Sequence, residues 1–404
     1  MNKLIFFFFI LTHLICHGQK EEPTKIFIQK VNSLLIEKYV YPEKGKQITQ
    51  ELLGNYNSGN YKKLSKDELI EKMNLDIHAF HPDLHIQLVK QNNLAINWNR
   101  GPITSLQILE GNIGYFNIRS FPTPTEDVYH EIALAFDFLR STKGLIIDLR
   151  DNGGGHPDVV SEILGYLVEK EVTYDVFYVP SNDKSYEYKT HKKIKGNKLL
   201  SMPTAVLINE NTASSGEIFA LAIQNLKLGK IYGQLSKGLV NLAEYYPLGN
   251  GYYLLLSKGE QRNPFLKGSI ENKGIQPDVV TNEPLYQAHL DIIHSTYSAS
   301  TNSWLKKGLS KKQLGNEAVF KDLVGWYGFN QIILSKGKLF YCPPSGFTYQ
   351  LIPIEENTFK IKSNNKVSFR LTFVKAQSGW QMNKIYFNGE KESYTKREAN
   401  NAQK

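Results

Sequence analysis

Leu145-Ile-Ile-Asp-Leu-Arg-Asp-Asn-Gly-Gly-Gly155 begins as a branched apolar run and ends in three consecutive glycines, directly before the next helical pattern. The apolar part reads as a buried strand. Without side chains, the glycines let backbone N–H groups approach an anion, as an oxyanion hole or a phosphate loop requires. A flexible tight turn is the plainer reading of three glycines. A P-loop is excluded, because no Gly-Lys-Ser/Thr follows.

Outward from this stretch, residues 114–280 alternate short β-branched runs with helical patterns. Strands are expected at 114–118, 144–149 and 204–208, and helices at 128–140, 158–168 and 216–226. Such alternation predicts an α/β domain with helices packed on a mostly parallel sheet, whose ligands sit beyond the carboxyl ends of the strands. Residues 24–81 carry helical stripes instead: Ile26, Val31, Leu34 and Leu35 on one, and Leu69, Ile70, Met73 and Ile77 on another. Ser65 and Glu68 form a capping box that starts the second helix, Tyr41-Pro42 closes the first, and Pro82 ends the second. From Asp322 the period becomes two, with Val367, Phe369, Leu371 and Phe373 separated by Ser368, Arg370 and Thr372. Turn signals stand at Ser335-Lys336-Gly337, Ser378-Gly379 and Asn388-Gly389. The expected organisation is therefore a signal segment (1–18), an N-terminal helical domain (19–110), the α/β domain (111–297), a polar linker (298–320) and a small antiparallel β-domain (321–404).

The chain has 404 residues, 41% hydrophobic and 22% charged, which excludes disorder as its main theme. Residues 301–404 hold 17 basic and 7 acidic side chains, against 48 and 39 for the whole chain, so the other 300 residues carry a net −1. A basic tail on a neutral body argues against a nucleic-acid enzyme, whose basic residues would surround the chemistry. Residues 1–18 have one charge, Lys3, an apolar run from Leu4 to Ile15 and small residues at Cys16 and Gly18, a secretory pattern with Gln19 as the expected mature terminus. A secreted or periplasmic protein is expected, with no integral membrane segment after cleavage. A lipoprotein anchored at Cys16 is the weaker alternative, because bulky Ile15 precedes it. Cleavage leaves Cys342 alone, which excludes an intrachain disulfide and a cysteine metal site.

A second segment, Pro203-Thr-Ala-Val-Leu-Ile-Asn-Glu-Asn-Thr-Ala-Ser-Ser-Gly-Glu217, delivers two serines to the first turn of a helix. A hydroxyl there faces unpaired helix N–H groups, which stabilise developing negative charge. Ser214 to Glu217 is also a capping box, the structural reading of the same residues. Paired with the glycine segment about 60 residues earlier, Asn211-Thr-Ala-Ser-Ser-Gly-Glu217 resembles the S41 serine peptidases, the family of C-terminal processing and tricorn-type proteases. The likeness continues through Gly268-Ser-Ile-Glu-Asn-Lys-Gly-Ile-Gln-Pro-Asp278 and spans about 24–280. The resemblance implies a ClpP/crotonase-like β/α core with Ser214 as nucleophile. It places the oxyanion hole at the N–H groups of Ser215 and of Gly153 or Gly154.

A third segment, Phe80-His-Pro-Asp-Leu-His-Ile-Gln-Leu88, offers an imidazole, the usual base for a serine. His85 matches the base of the tricorn-like and retinoid-binding-protein-like branch, and Glu271 stands where that branch has an acidic partner. The other readings are a hydrogen-bonded core histidine, or a metal site from His78, His81, Asp83 and His85. Pro82 breaks the helix that would align such ligands. In the fourth segment, Gly233-Gln-Leu-Ser-Lys-Gly-Leu-Val-Asn241, Lys237 looks like a variant of the lysine base of the C-terminal processing branch. Asn241 replaces that branch's glutamine, however, and a lysine base must be desolvated to lose its proton. Only 28 residues separate His85 from Gly114, too few for that branch's PDZ domain, so the histidine branch fits better. The expectation is a serine-type peptidase acting on peptides or proteins without a cofactor or metal. A non-catalytic protein that binds apolar ligands or peptides on the same fold is the alternative.

Overall fold

In the computed structural model, residues 23–91, 101–298, 305, 306, 309, 317–361, 369–386 and 390–397 are described. The expected signal segment, most of the linker and the Asn388-Gly389 turn lie outside them. The chain divides into two units, Met1–Ala95 with Pro180–Asn182 and Ala243–Gly259, and Ile96–Val179 with Asp183–Leu242 and Glu260–Lys404.

The first unit contains α1 (Pro23–Lys38), α2 (Pro42–Asn57), α3 (Lys66–Phe80) and β1 (Gln87–Lys90). Three helices stand where two were expected. Pro42 ends nothing; it is the first residue of α2, where its missing N–H would have no intrahelical partner and its φ is already helical. The Ser65–Glu68 box forms as expected: Ser65 N–H donates to Glu68 Oε2 (2.7 Å) and Glu68 N–H to Ser65 Oγ (3.4 Å). Val31, Leu35, Ile48, Leu52, Met73 and Ile77 make the core.

The second unit runs β2 (Ile103–Leu109), β3 (Ile113–Ile118), α4 (Glu126–Leu139), β4 (Gly144–Asp148), α5 (Pro157–Gly165), β5 (Thr173–Val179), β6 (Lys184–Lys189), β7 (Thr204–Ile208), α6 (Ser215–Asn225) and β8 (Lys230–Gly233). Then follow β9 (Leu242–Gly249), β10 (Tyr252–Gln261), β11 (Val279–Val280) and α7 (Pro284–Thr296). A six-stranded sheet has the order β11-β8-β7-β4-β3-β2, parallel except for edge strand β2. Both faces are covered, and the pleat sorts the side chains. Leu145, Ile147, Val206 and Ile208 join the core shared with α4, α5 and α6, while Ile146, Ala205 and Leu207 join the one under α7. The successive apolar residues of 145–147 are thereby accounted for.

Strands β5, β6, β9 and β10 had no expected counterpart. β9 and most of β10 belong to the first unit, where Tyr252–Leu255 pair with β1 and Leu254 and Leu256 enter the helical core. The last two residues of β10, Glu260 and Gln261, pair with β5 in the second unit.

After α8 (Glu317–Leu323), strands β12 (Gly325–Tyr327), β13 (Asn330–Ser335), β14 (Lys338–Cys342), β15 (Tyr349–Glu355), β16 (Thr358–Ile361), β17 (Phe369–Ala376), β18 (Gly379–Tyr386) and β19 (Lys391–Thr395) form an antiparallel meander. A bridge from Tyr327 to Lys396 and the Arg397 N–H to Trp326 C=O bond (2.8 Å) return its last strand to its first. Lys336 and Gly337 have φ of 49° and 71°, as a two-residue primed turn demands. Arg370, on the polar side of the alternation, is nevertheless buried. Its Nη2 lies 3.4 Å from Glu110, which also accepts from Lys360 (3.0 Å), so this face of the meander packs on the β2–β3 hairpin.

Candidate active site

Strand β4 ends in a locked corner. Asp148 is buried, accepts from the Tyr115 hydroxyl (2.9 Å), and holds Arg150 through Nε and Nη2 (Nη2 to Oδ2, 2.6 Å). The chain then turns through Asp151 (φ 60°) to fully buried Asn152, which secures the loop in three directions. Its Nδ2 donates to Ile118 C=O (2.9 Å), its Oδ1 accepts Gly154 N–H (2.8 Å), and its C=O accepts Ala213 N–H (2.9 Å). The three glycines are not equivalent. A Cβ on Gly155 would lie 2.0 Å from Phe121 O, and one on Gly154 would lie 2.6 Å from Ser214 Cβ and 3.0 Å from Ser215 N. A Cβ on Gly153 would meet nothing within 4 Å. The triple glycine is thus two close backbone approaches and one open position.

Ser214 stands at the strand-to-helix turn with φ 52° and ψ −125°, outside the regions a residue with a Cβ adopts readily, at a cost on the order of 1–3 kcal/mol. A nucleophile held on a sharp strained turn of this kind presents its hydroxyl away from the helix. The surroundings impose the strain. Thr212 Oγ1 donates to Leu149 C=O (2.8 Å), and Ser214 N–H donates to Leu239 C=O (2.8 Å) and Glu217 Oε2 (3.1 Å). Glu217 N–H also goes to the Ser214 carbonyl (2.8 Å), while the Glu217 carboxylate reaches back to the Ser214 N–H as a capping box requires. Ser215 uses its own hydroxyl on Gly155 C=O (2.7 Å), tying α6 to the glycine loop.

The oxyanion donors can now be sorted. Gly154 N–H is committed to Asn152 Oδ1, so of the two glycines offered for that role Gly153 is the one left. Among the described residues, the N–H groups of Gly153 and Ser215 have no hydrogen-bond acceptor.

Glu217 does more than its place in a capping motif suggested. Wholly buried, its carboxylate accepts from Ser236 Oγ (2.6 Å), Gly238 N–H (2.6 Å), Leu239 N–H (2.8 Å) and Ser214 N–H. Burial pushes the carboxyl upward and these donors oppose the shift. One acid thus joins the serine turn to the 236–239 loop. That loop holds Lys237 by its N–H to Thr212 C=O (3.0 Å), with the residue exposed. Glu271 is buried and its Oε2 accepts the N–H groups of Val240 (2.7 Å) and Asn241 (2.9 Å).

His85 belongs to the first unit, in the turn after α3, and is buried. Its N–H donates to Asp83 Oδ1 (2.8 Å), and Asp83 Oδ2 accepts from the Tyr39 hydroxyl (2.7 Å). The neighbouring histidines have partners of their own: His78 Nε2 lies 2.8 Å from Ile86 C=O, and His81 Nε2 2.9 Å from the Tyr39 hydroxyl.

Residues 112–281 match the family described as Peptidase family S41. The carboxy-terminal processing protease CtpA of Bacillus subtilis is 30% identical over 233 residues, 53% of this chain and 45% of that protein. The carboxy-terminal processing protease CtpB of the same organism is 28% identical over 178 residues, 43% of this chain and 35% of that protein. The chain thus spans less than half the length of these curated relatives. A lipoprotein from Streptococcus agalactiae shares the fold with a TM-score of 0.53 at 21% identity, covering 68% of this chain and 97% of that one. The stretch that carries the glycine loop and the Ser214 turn, residues 112–281, is thus the part of this chain that matches peptidase family S41.

Proposed function

We propose that this protein is a serine peptidase that cleaves peptide bonds through an acyl-enzyme on Ser214. The observation that carries the reading is the strained Ser214 turn beside two backbone N–H groups, Ser215 and Gly153, that have no acceptor among the described residues. In the first step Ser214 Oγ bonds to the carbonyl carbon while its proton passes to His85. The resulting oxyanion takes the Ser215 and Gly153 N–H bonds, about 3 kcal/mol for each donor by analogy with other hydrolases. The C–N bond then breaks as His85 returns the proton to the leaving amine, and water hydrolyses the ester by the same route. Glu271 orients the imidazole. The assignment of His85 and Glu271 rests on their match to the histidine branch, supported by the exposed position of Lys237. The secretory pattern of residues 1–18 supports action outside the cytoplasm.

Labelling by a fluorophosphonate tests the reading. Ser214 of the wild type is acylated, Ser214→Ala is not, His85→Ala slows acylation by on the order of 10³ or more, and Lys237→Ala stays within about threefold. A wild type that never labels points to a binding protein on this fold. Normal labelling in His85→Ala with loss in Lys237→Ala replaces the histidine by a lysine base.

A further inference from the structure

Asp175 in β5 is wholly buried and, among the described residues, has no ion-pair partner. A carboxylate in such a place is costly unless hydrogen bonds satisfy it. Its Oδ1 accepts Val176 N–H (2.9 Å) and Asn263 Nδ2 (3.2 Å), and its Oδ2 accepts Gln261 Nε2 (2.8 Å). Because a carboxylate only accepts, Gln261 is held with its NH2 toward Asp175 and its carbonyl the other way. That carbonyl accepts the Ser269 hydroxyl (3.2 Å) and Ile270 N–H (3.3 Å). Ser269 Oγ in turn accepts Glu271 N–H (3.0 Å). The ring closes on the other side, where Gln261 N–H donates to Asn241 Oδ1 (3.3 Å) and Asn241 N–H to Glu271 Oε2.

We propose that Asp175 is a positioning residue for Glu271, acting through the amide orientation of Gln261. The inference rests on the reading of Glu271 as the acidic member of the catalytic set. Asp175 and Gln261 lie within residues 112–281 but outside the motif stretches 145–155, 203–217 and 268–278. An asparagine in place of Asp175 has the same shape but sets an NH2 against the Gln261 NH2. Gln261 must then turn over, its Nε2 faces Ile270 N–H, and the turn carrying Glu271 loses its acceptor. Burial pushes the Asp175 carboxyl up to about 6, so it is ionised and purely accepting at pH 8.

The test is the rate of Ser214 labelling by a fluorophosphonate at pH 8, with the melting temperature of each variant. Asp175→Asn is expected to slow labelling at least tenfold while melting within a few degrees of wild type, and Gln261→Glu to slow it similarly by opposing two carboxylates. The double variant Asp175→Asn/Gln261→Glu is expected within threefold of wild type. In it the two groups exchange roles: the introduced amide donates to the introduced carboxylate, whose second oxygen serves Ser269 and Ile270. Wild-type labelling by Asp175→Asn overturns the proposal. So does a double variant no faster than the singles, which decides the matter even where Asp175→Asn alone fails to fold. Glu271→Gln labelling at the wild-type rate removes the role assigned to Glu271 and the inference with it. A wild type that does not label at all is the separate failure of the peptidase reading.

Discussion

The serine corner and the turns of the C-terminal β-meander both put residues with side chains at positive φ, and they do so on opposite terms. Lys336 (φ 49°) and Asn357 (φ 55°) occupy the left-handed region in tight hairpin turns, where the turn itself asks for that conformation. Ser214 has nearly the same φ, but its ψ of −125° is that of the first central residue of a type II′ turn, a place glycine favours and a Cβ makes costly. Its surroundings hold it there: Asn152 through the preceding residue, Leu239 and Glu217 through the serine itself. Strain that the neighbourhood over-determines marks a working site, whereas strain relieved by local turn chemistry marks a connection.

The largest effect separating the two regions is expected at Glu217. Glu217→Gln sets an NH2 against two of the four donors on that buried carboxylate. A loss of about 2–3 kcal/mol in urea unfolding is expected, with labelling of Ser214 nearly abolished. Full activity in this variant would show that the corner holds itself.

The glycines sharpen the contrast next. Gly154→Ala, at φ 95° and against Ser214 Cβ, should cost about 1–3 kcal/mol and most of the labelling rate. Gly153→Ala meets no atom within 4 Å and should stay within about 0.5 kcal/mol by the same unfolding measurement. Equal losses at both positions would mean that the loop is merely a turn. Ser214→Gly removes the strain along with the hydroxyl, so it should gain about 1 kcal/mol while losing all labelling. Lys336→Gly, the matching change in the meander, should move stability by no more than about 0.5 kcal/mol.

Acid dependence gives the smallest contrast, with opposite signs in the α/β domain that holds the corner and in the meander. The hydrogen bond to buried Glu162 (2.7 Å) raises His191, so this stability is present in full below about pH 6.5 and is lost as pH rises through the raised value. Glu162→Gln should flatten that part of a melting-temperature profile. In the meander, hydrogen bonds from Tyr394 and Tyr386 lower Glu392, so its contribution is present above the ordinary carboxylate range and is lost as pH falls.

What the amino-acid sequence determined by itself was local in the chain. The buried run at 145–147, the glycines after it, the serines opening α6 and the alternation in β17 each show within about ten residues, because strand pleat, helix period and turn chemistry are near-neighbour properties. Even there, tertiary context overruled single residues: Pro42 opened a helix instead of closing one, and Arg370 was buried against Glu110. Only the tertiary structure decided which glycine keeps a spare N–H, and that Glu217 and Asp175 organise the corner and the Glu271 turn. Each of those outcomes depends on hydrogen bonds between residues as far apart as Asp175 and Gln261, whose partners no local pattern names.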